Sequence, residues 1–418
     1  MRVCFVSGEY PPMQGGVGDY TRELGRALIR LGHQVAVITS SNAVPPDTRR
    51  DMAPPDTRRD MAPPDTRRDM AFAGTVSARQ EPAVRPIVSK WDWASWAHIL
   101  HAARSFQSDV LHIQYQTAAY AMHPAINFLP LRLRLNKHPP RSAVTFHDLR
   151  VPYLFPKAGA VRQWVNLLLA RWSDAAIATN VDDYEQLKRA RLPTVPHLIP
   201  VGSNIHPQPP PGYERSVWRS RLGVAESEVL LCYFGFLNES KGGETLFRSM
   251  AELVHRGRKV KLLMIGGQVG DSDPTNLAYF ERVKALSSEL GLADLVLWTG
   301  YTPPEQVSAN FLAADICVLP YRDGASYRRG SFMAALAHGL PIVSTQPKVP
   351  VATLLDRENI LIVPPNDALA TADAVEKLIS APALRTRLGR GALDLAKGFT
   401  WDSIAARTAQ LYGELVGE

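Results

Sequence analysis

A chain of 418 residues, 45% hydrophobic and 21% charged, has room for two buried cores and is too apolar for intrinsic disorder. Its net charge of +7 favours anionic ligands or an anionic surface, but no Lys/Arg block interleaves with aromatics, which argues against nucleic acid as a partner. Cys4, Cys232 and Cys317 each lie in an apolar, β-rich run and are expected as buried thiols, not as a disulfide or metal framework.

The chain opens on Arg2 and a short apolar run, too short for a signal peptide. No uninterrupted apolar run reaches the length of a membrane span. The expectation is therefore a cytoplasmic protein, with membrane contact at most peripheral, at the inner face of the cell membrane. Residues 1–8 read as a buried parallel strand. The loop EYPPMQGGVGDY follows, then a helix with Tyr20, Leu24, Leu28 and Leu31 on one stripe, then the strand VAVIT. This is a β–loop–α–β unit with a Gly-rich turn at the strand's carboxyl end, though not GxGxxG. The unit PPDTRRDMA then recurs in tandem from Pro45, Pro54 and Pro63. Its prolines and alternating charge cannot build a core, so residues 44–72 are expected as a disordered surface loop.

Order resumes at Ala83. Trp91, Trp93 and Trp96 precede a helix through Phe106, and DVLHIQY, AVTFHD and AAIATN read as strands. Between the last two, the apolar stretch around Trp164 reads either as a helix packed on the sheet or as one touching a membrane or acceptor. The Pro-rich HPQPPPGYE is the best linker. It divides an N-terminal domain (1–205) from a C-terminal one (206–398), and a last helix in 399–418 is expected to cross back. The second half repeats the alternation through LLCYFGFL, KLLMIGG, LVLWTGY, ICVLPY, PIVST and ILIVPP. Strands alternating with helices twice over predict an α/β fold of two facing, doubly wound, Rossmann-like domains with their strand ends on one cleft.

Residues 323–341 carry the punctuation of a helix: Ser331 as N-cap, Gly339 at the exit, Pro341 as the stop. Arg328 and Arg329 stand at the positive end of its dipole, where each cation costs about 0.3–1 kcal/mol. Either an anion such as phosphate sits there, with Gly330 letting backbone approach, or both arginines are solvated.

The motifs GEYPPMQGGVGDYTRELGRALIRLGHQVAVIT, VTFHD, IPVGSNI, YFGFLNESKGGETLF, LWTGYTPPEQVSANFLAADICVLP, ALAHGLPIVST and LIVPPND occur in this order. In order and spacing the chain resembles retaining glycosyltransferases of family 4, which have the GT-B fold, over nearly everything outside the repeat. The resemblance implies a nucleotide-sugar donor and no metal or other cofactor. It implies that Gly15 and Gly16 approach a phosphate, that Lys241 neutralises the leaving diphosphate, and that the helix of Gly330 and Ser331 meets the donor phosphates. His147 then lies near the donor sugar, Gly300 and Tyr301 near the base, and Gln114 and Tyr115 on the acceptor side. Without the family match, His147 reads as a packed core histidine and Tyr301 as loop packing.

Two departures stand out. Phe236 holds the place of a family arginine, and the family's paired glutamates would fall at Ser326 and Ala334. Arg328 or Arg329 is therefore expected to supply the missing cation, and Asp323 or Ser326 to meet the sugar. Asp271-Ser272-Asp273 is too short a match to carry a metal, and His98 with His101 lacks a third ligand. Glu239 and Asp19 read as cap or surface residues. The function classes left are a transferase building a cell-surface glycan, polysaccharide or glycolipid on a glycan or lipid-linked acceptor, and a catalytically silent nucleotide- or partner-binding protein. A nicotinamide oxidoreductase is disfavoured because neither half holds GxGxxG.

Overall fold

The structure is a computed structural model and describes residues 1–13, 15–44, 81–149, 159–266 and 274–417. The tandem repeat and Asp271–Asp273 lie outside these residues. The chain divides into two compact units. One holds Met1–Ile177, Leu187–His197 and Ala405–Glu418; the other holds Ala178–Gln186 and Leu198–Ile404.

The first sheet has seven strands: β1 (Arg2–Ser7), β2 (Gln34–Ser40), β3 (Ala83–Val88), β4 (Val110–Gln116), β5 (Arg141–Asp148), β6 (Ala175–Ala178) and β7 (His197–Leu198). Their order is β3-β2-β1-β4-β5-β6-β7. β1 is an inner strand and pairs in parallel with β2 and β4, Val3 lying opposite Val35 and Val110. Its near-continuous apolar run is what a strand covered on both faces requires. Helices α1 (Gly16–Arg30), α2 (Ser95–Ser105), α3 (Ala125–Leu133), α4 (Gly159–Trp172) and α5 (Val181–Arg189) alternate with these strands.

The second sheet is built from β8 (Val229–Phe234), β9 (Val260–Ile265), β10 (Val296–Trp298), β11 (Ile316–Leu319), β12 (Ile342–Thr345) and β13 (Leu361–Val363), in the order β10-β9-β8-β11-β12-β13. Around it run α6 (Arg215–Arg221), α7 (Gly243–His255), α8 (Pro274–Glu289), α9 (Pro304–Ala313), α10 (Gly330–Ala337), α11 (Ala368–Ser380) and α12 (Pro382–Ala396). The three cysteines are buried and free, as their β-rich surroundings predict. The last helix, α13 (Trp401–Val416), returns to the first unit. There the Tyr412 hydroxyl hydrogen-bonds His112 Nδ1 and Arg407 lies beside Tyr20 of α1.

Two elements carry no clear sequence signal. β3 is an edge strand containing Pro86, tolerated there because one side of an edge needs no ladder N–H. α3 has no side-chain cap and contains Pro130, yet it buries Ile126, Leu129 and Leu133. Tertiary burial outweighs its poor local signal. The predicted helix after the three tryptophans begins at Ser95, so Trp96 belongs to it.

In both sheets the strand order reverses at one place: between β1 and β4 in the first, between β8 and β11 in the second. Chains leaving these neighbouring strands in opposite directions open a crevice at their carboxyl ends, the usual ligand position in such folds.

Candidate functional site

Lys241, Asp323, Arg328 and Arg329 lie near the reversal of the second sheet and Gly15, Gly16 and Gln114 near that of the first, whereas Gly300 and Tyr301 follow β10. In the second unit, β8 runs out through Gly235, at φ +107°, into the turn that carries Lys241. The next residue, Gly242, lies at φ +71°, and a Cβ there would stand 1.9 Å from the Pro320 carbonyl oxygen. Only glycine fits, and the close approach locks the Lys241 turn onto the exit of β11. Arg322 N–H adds a bond to Ser240 O at 3.0 Å. Gly242→Ala should therefore lower unfolding stability by more than about 2 kcal/mol and weaken any ligand held by Lys241; denaturant unfolding with a parallel nucleotide titration checks both.

Lys241 Nζ lies 5.9 Å from the centre of the Tyr321 ring, and the Arg329 guanidinium lies over the same ring at 5.0 Å. Burial, and next the Arg329 charge, lower the Lys241 pKa to about 7 against an opposing pull from Asp323. Among the described residues no acceptor hydrogen-bonds the Lys241 ammonium. Two cations thus lie by one aromatic ring and act on each other, and a diphosphate would relieve their repulsion.

Arg328 and Arg329 do face an anion, but it belongs to the chain. Asp323 accepts from Arg328 Nη2 at 2.6 Å and from Arg329 Nη2 at 2.6 and 2.7 Å. An intramolecular carboxylate therefore accounts for cations at a helix N-terminus, and phosphate is not required to explain them. Arg329 Nε remains buried without a partner. Ser331 is not the N-cap either. Arg329 holds that position, Gly330 opens α10, and the Ser331 hydroxyl instead bonds buried Tyr321 OH at 2.6 Å. The exit is as predicted: Gly339 lies at φ +64° and its N–H reaches Leu336 O at 3.0 Å. Ser326 accepts the Arg329 backbone N–H at its carbonyl, 3.1 Å. Gly300, at φ +65°, bridges Gly266 at the ends of β10 and β9, and Tyr301 is 75% exposed.

In the first unit the carboxylate of Glu9 sits on the amino end of α1. Its Oε1 accepts from Val17 N at 2.9 Å and Gly18 N at 3.3 Å. A Cβ on Gly15 would collide with that carboxylate, whereas one on Gly16 would meet open space. Burial raises the Glu9 pKa, against the lowering by the two N–H groups. The backbone donors expected to meet a phosphate are thus capped internally by Glu9. The sequence reading missed this residue; its only trace is an acid shortly before GGVG.

His147 Nε2 lies 3.0 Å from Gln114 Oε1, with Tyr20 edge-on to the imidazole at 4.6 Å. Burial lowers the His147 pKa to about 3, so the ring is neutral at pH 7. Gln114 Nε2 is buried without a partner, leaving a donor at the end of β4. Tyr115 is not brought into this group. It is 2% exposed, and its hydroxyl joins Asn166 at 2.7 Å and Asn127 at 3.0 Å inside the unit. Strand alternation sends neighbouring residues to opposite faces, so Gln114 and Tyr115 cannot serve one ligand together.

No three His, Cys, Asp or Glu side chains converge as a metal site among the described residues. None of their helices is long and apolar enough to cross a membrane.

Residues 15–202 match the family described as "Glycosyl transferase 4-like domain", and residues 214–394 match "Glycosyl transferases group 1". D-inositol 3-phosphate glycosyltransferase of Corynebacterium diphtheriae is 30% identical over 212 residues, 49% of this chain and 47% of the relative. Its counterpart in Corynebacterium efficiens is 32% identical over the same shares. The chain thus spans about half the length of these curated relatives. Among solved structures, sucrose-phosphate synthase from Thermosynechococcus elongatus superposes with a TM-score of 0.71 at 22% identity, over 100% of this chain and 99% of that one. Anabaena HepE in complex with UDP and glucose superposes at 0.72 and 15% identity, over 99% and 100%. At these identities the likeness establishes the two-sheet GT-B fold.

Proposed function

The chain belongs to the group 1 (family 4) glycosyltransferases, of GT-B fold, and we propose that it moves a sugar, of hexosyl type, from a nucleotide-sugar donor to an acceptor hydroxyl with retention at the anomeric carbon. The observation that carries this reading is the pair of cations, Lys241 and Arg329, beside the Tyr321 ring at the strand-order reversal. Positive charge on a low-dielectric wall stabilises a departing diphosphate more than it would in water. Arg329, with Arg328 beside it, takes the role of the cation missing at Phe236, and its unpartnered Nε offers a further donor.

In this scheme the bond from the anomeric carbon to the diphosphate oxygen breaks as the acceptor oxygen approaches the same face. The acceptor proton passes to the departing phosphate oxygen. The protein supplies positioning and charge, and no cofactor is assigned a step. His147 stays neutral and, with Gln114, offers hydrogen bonds to sugar or acceptor hydroxyls. Gly15 makes room for the Glu9 carboxylate and Gly16 leaves the α1 turn open to a phosphate, Gly330 and Ser331 present the start of α10, Asp323 and Ser326 lie at the sugar, and Gly300 and Tyr301 flank the base. The division of labour is acceptor side 1–205, donor side 206–398 and the returning helix 399–418. A glycan or lipid-linked acceptor, in cell-surface polysaccharide or glycolipid synthesis at the inner face of the membrane, fits the basic balance and the exposed Trp164.

A second reading, a catalytically silent nucleotide-binding protein, is favoured by Asp323 occupying both arginines. Titration with UDP, GDP and ADP tests the donor site common to both readings, and turnover of a nucleotide-sugar panel separates them. Arg329→Ala should weaken the preferred nucleotide diphosphate by about tenfold to a hundredfold, as loss of a charged hydrogen bond does. Unchanged affinity in both Arg328→Ala and Arg329→Ala would remove the arginines from the site.

A further inference from the structure

We propose that the first unit holds a second binding site, for an amphiphile with an anionic head, at the amino-terminal edge of its sheet. A cavity of about 690 Å³ opens there, between the carboxyl ends of α2 and α3 and the segments that lead into β4 and β5. Strands of seven and eight residues separate it from Gln114 and His147 by roughly 20 Å, so it is distinct from the donor and acceptor groups.

Its chemistry is two-sided. Arg104, Lys137 and His138 line it, and no carboxylate does. Among the described residues none of the three forms an ion pair, whereas neighbouring Arg134 is held by Asp174 at 3.8 Å. The rest of the wall is mainly aliphatic, from Leu100, Leu135 and Pro140 over the buried Ala103 and Leu133, with three uncharged polar side chains among them. Leu135 is 75% exposed, in the turn that also carries Lys137 and His138. A helix dipole alone would favour a cation at Arg104, near the end of α2. It does not explain Lys137 and His138, which lie beyond α3, nor a leucine left in water in the same turn.

The volume lies within the range of ordinary small-molecule sites. A phosphate or carboxylate head would meet the guanidinium fork and the ammonium, and an alkyl chain would cover Leu135 and the open part of Leu100. Neither part alone satisfies the cavity, so affinity should require both on one molecule.

Decyl phosphate, kept below its micelle threshold, is the probe, with inorganic phosphate and decanol as its two halves. Calorimetric titration of the full chain should give binding at least tenfold tighter for decyl phosphate than for either half. Arg104→Glu combined with Lys137→Glu should weaken it at least tenfold, and so should Leu135→Asp, which alters an exposed position and guards against misfolding in the double variant. UDP affinity should be unchanged in all variants, which separates this site from the donor site. Retention on phosphatidylglycerol vesicles that is lost in the double variant would assign a bilayer lipid; binding in solution without retention would assign a soluble amphiphile. Equal affinity for decyl phosphate and inorganic phosphate, no binding of decyl phosphate, or full affinity in both variants would overturn the proposal.

Discussion

Lys241→Ala should lower kcat/KM for nucleotide-sugar turnover by about 10²- to 10³-fold, the usual cost of losing one preorganised charge-stabilising group. The fold should survive, because the residue sits in a turn fixed by Gly242 and Arg322 rather than by its own side chain. The pH dependence gives a sharper signature. Burial, reinforced by Arg329, brings the Lys241 ammonium from 10.5 to about 7. A diphosphate favours the charged form, so binding near pH 7 should draw a proton from solution, and affinity should fall as pH rises above 7. Calorimetry in buffers of different ionisation enthalpy reads the proton directly. Lys241→Arg should keep binding and flatten the profile, since a guanidinium does not titrate there. Stability of the free protein follows the opposite course. Between about 7 and 10.5 the unfolded chain binds more protons at this residue, so its contribution to stability rises with pH through that window. UDP affinity that is unchanged by Lys241→Ala would remove the lysine from the donor site.

What the sequence shows and hides follows one physical division. Features set by neighbours along the chain are legible. The buried cysteine strands, the Gly339-Pro341 exit and the alternation of strand and helix all follow from periodicity and local backbone preference. The expectation at Lys241 has a different basis, its match to a family motif. Features set by a side chain reaching across a loop are not. Asp323 reaches Arg328 and Arg329 from five and six residues upstream, over a turn with no regular geometry. Glu9 reaches Val17 and Gly18 across the Gly-rich loop in the same way. The dipole argument at Arg328 and Arg329, like the family match at Gly15 and Gly16, locates a place for an anion but cannot tell that the chain has supplied its own. The Ser331 assignment fails for a related reason: a buried tyrosine hydroxyl competes for the serine that would otherwise cap the helix.

That self-supplied anion leads to a large expected effect on stability. Asp323→Ala should lower the unfolding free energy by about 3–5 kcal/mol, because it removes the carboxylate that the buried Arg328 and Arg329 share. Arg328 and Arg329 are only 8% and 13% exposed, and Asp323 itself 16%, so solvent screens little of the loss. Asp323→Asn should fall between, since an amide still accepts from the arginines but carries no charge. The carboxylate stands where the proposed donor phosphate would gain most, so it is a competitor as well as a partner. Added nucleoside diphosphate should therefore raise the melting temperature of Asp323→Ala more than that of the unaltered chain. Inorganic phosphate should do the same more weakly, because it makes fewer contacts. Equal stabilisation of both proteins by the nucleotide would mean that the arginines face only Asp323 and that Lys241 alone meets the diphosphate. A stable Asp323→Ala protein without ligand would mean that water reaches the guanidiniums, and the contrast between their burial and their charge would lose its force. A ligand that stabilises the variant more would identify Asp323 as the internal anion that holds this donor site open until the substrate's own charge replaces it.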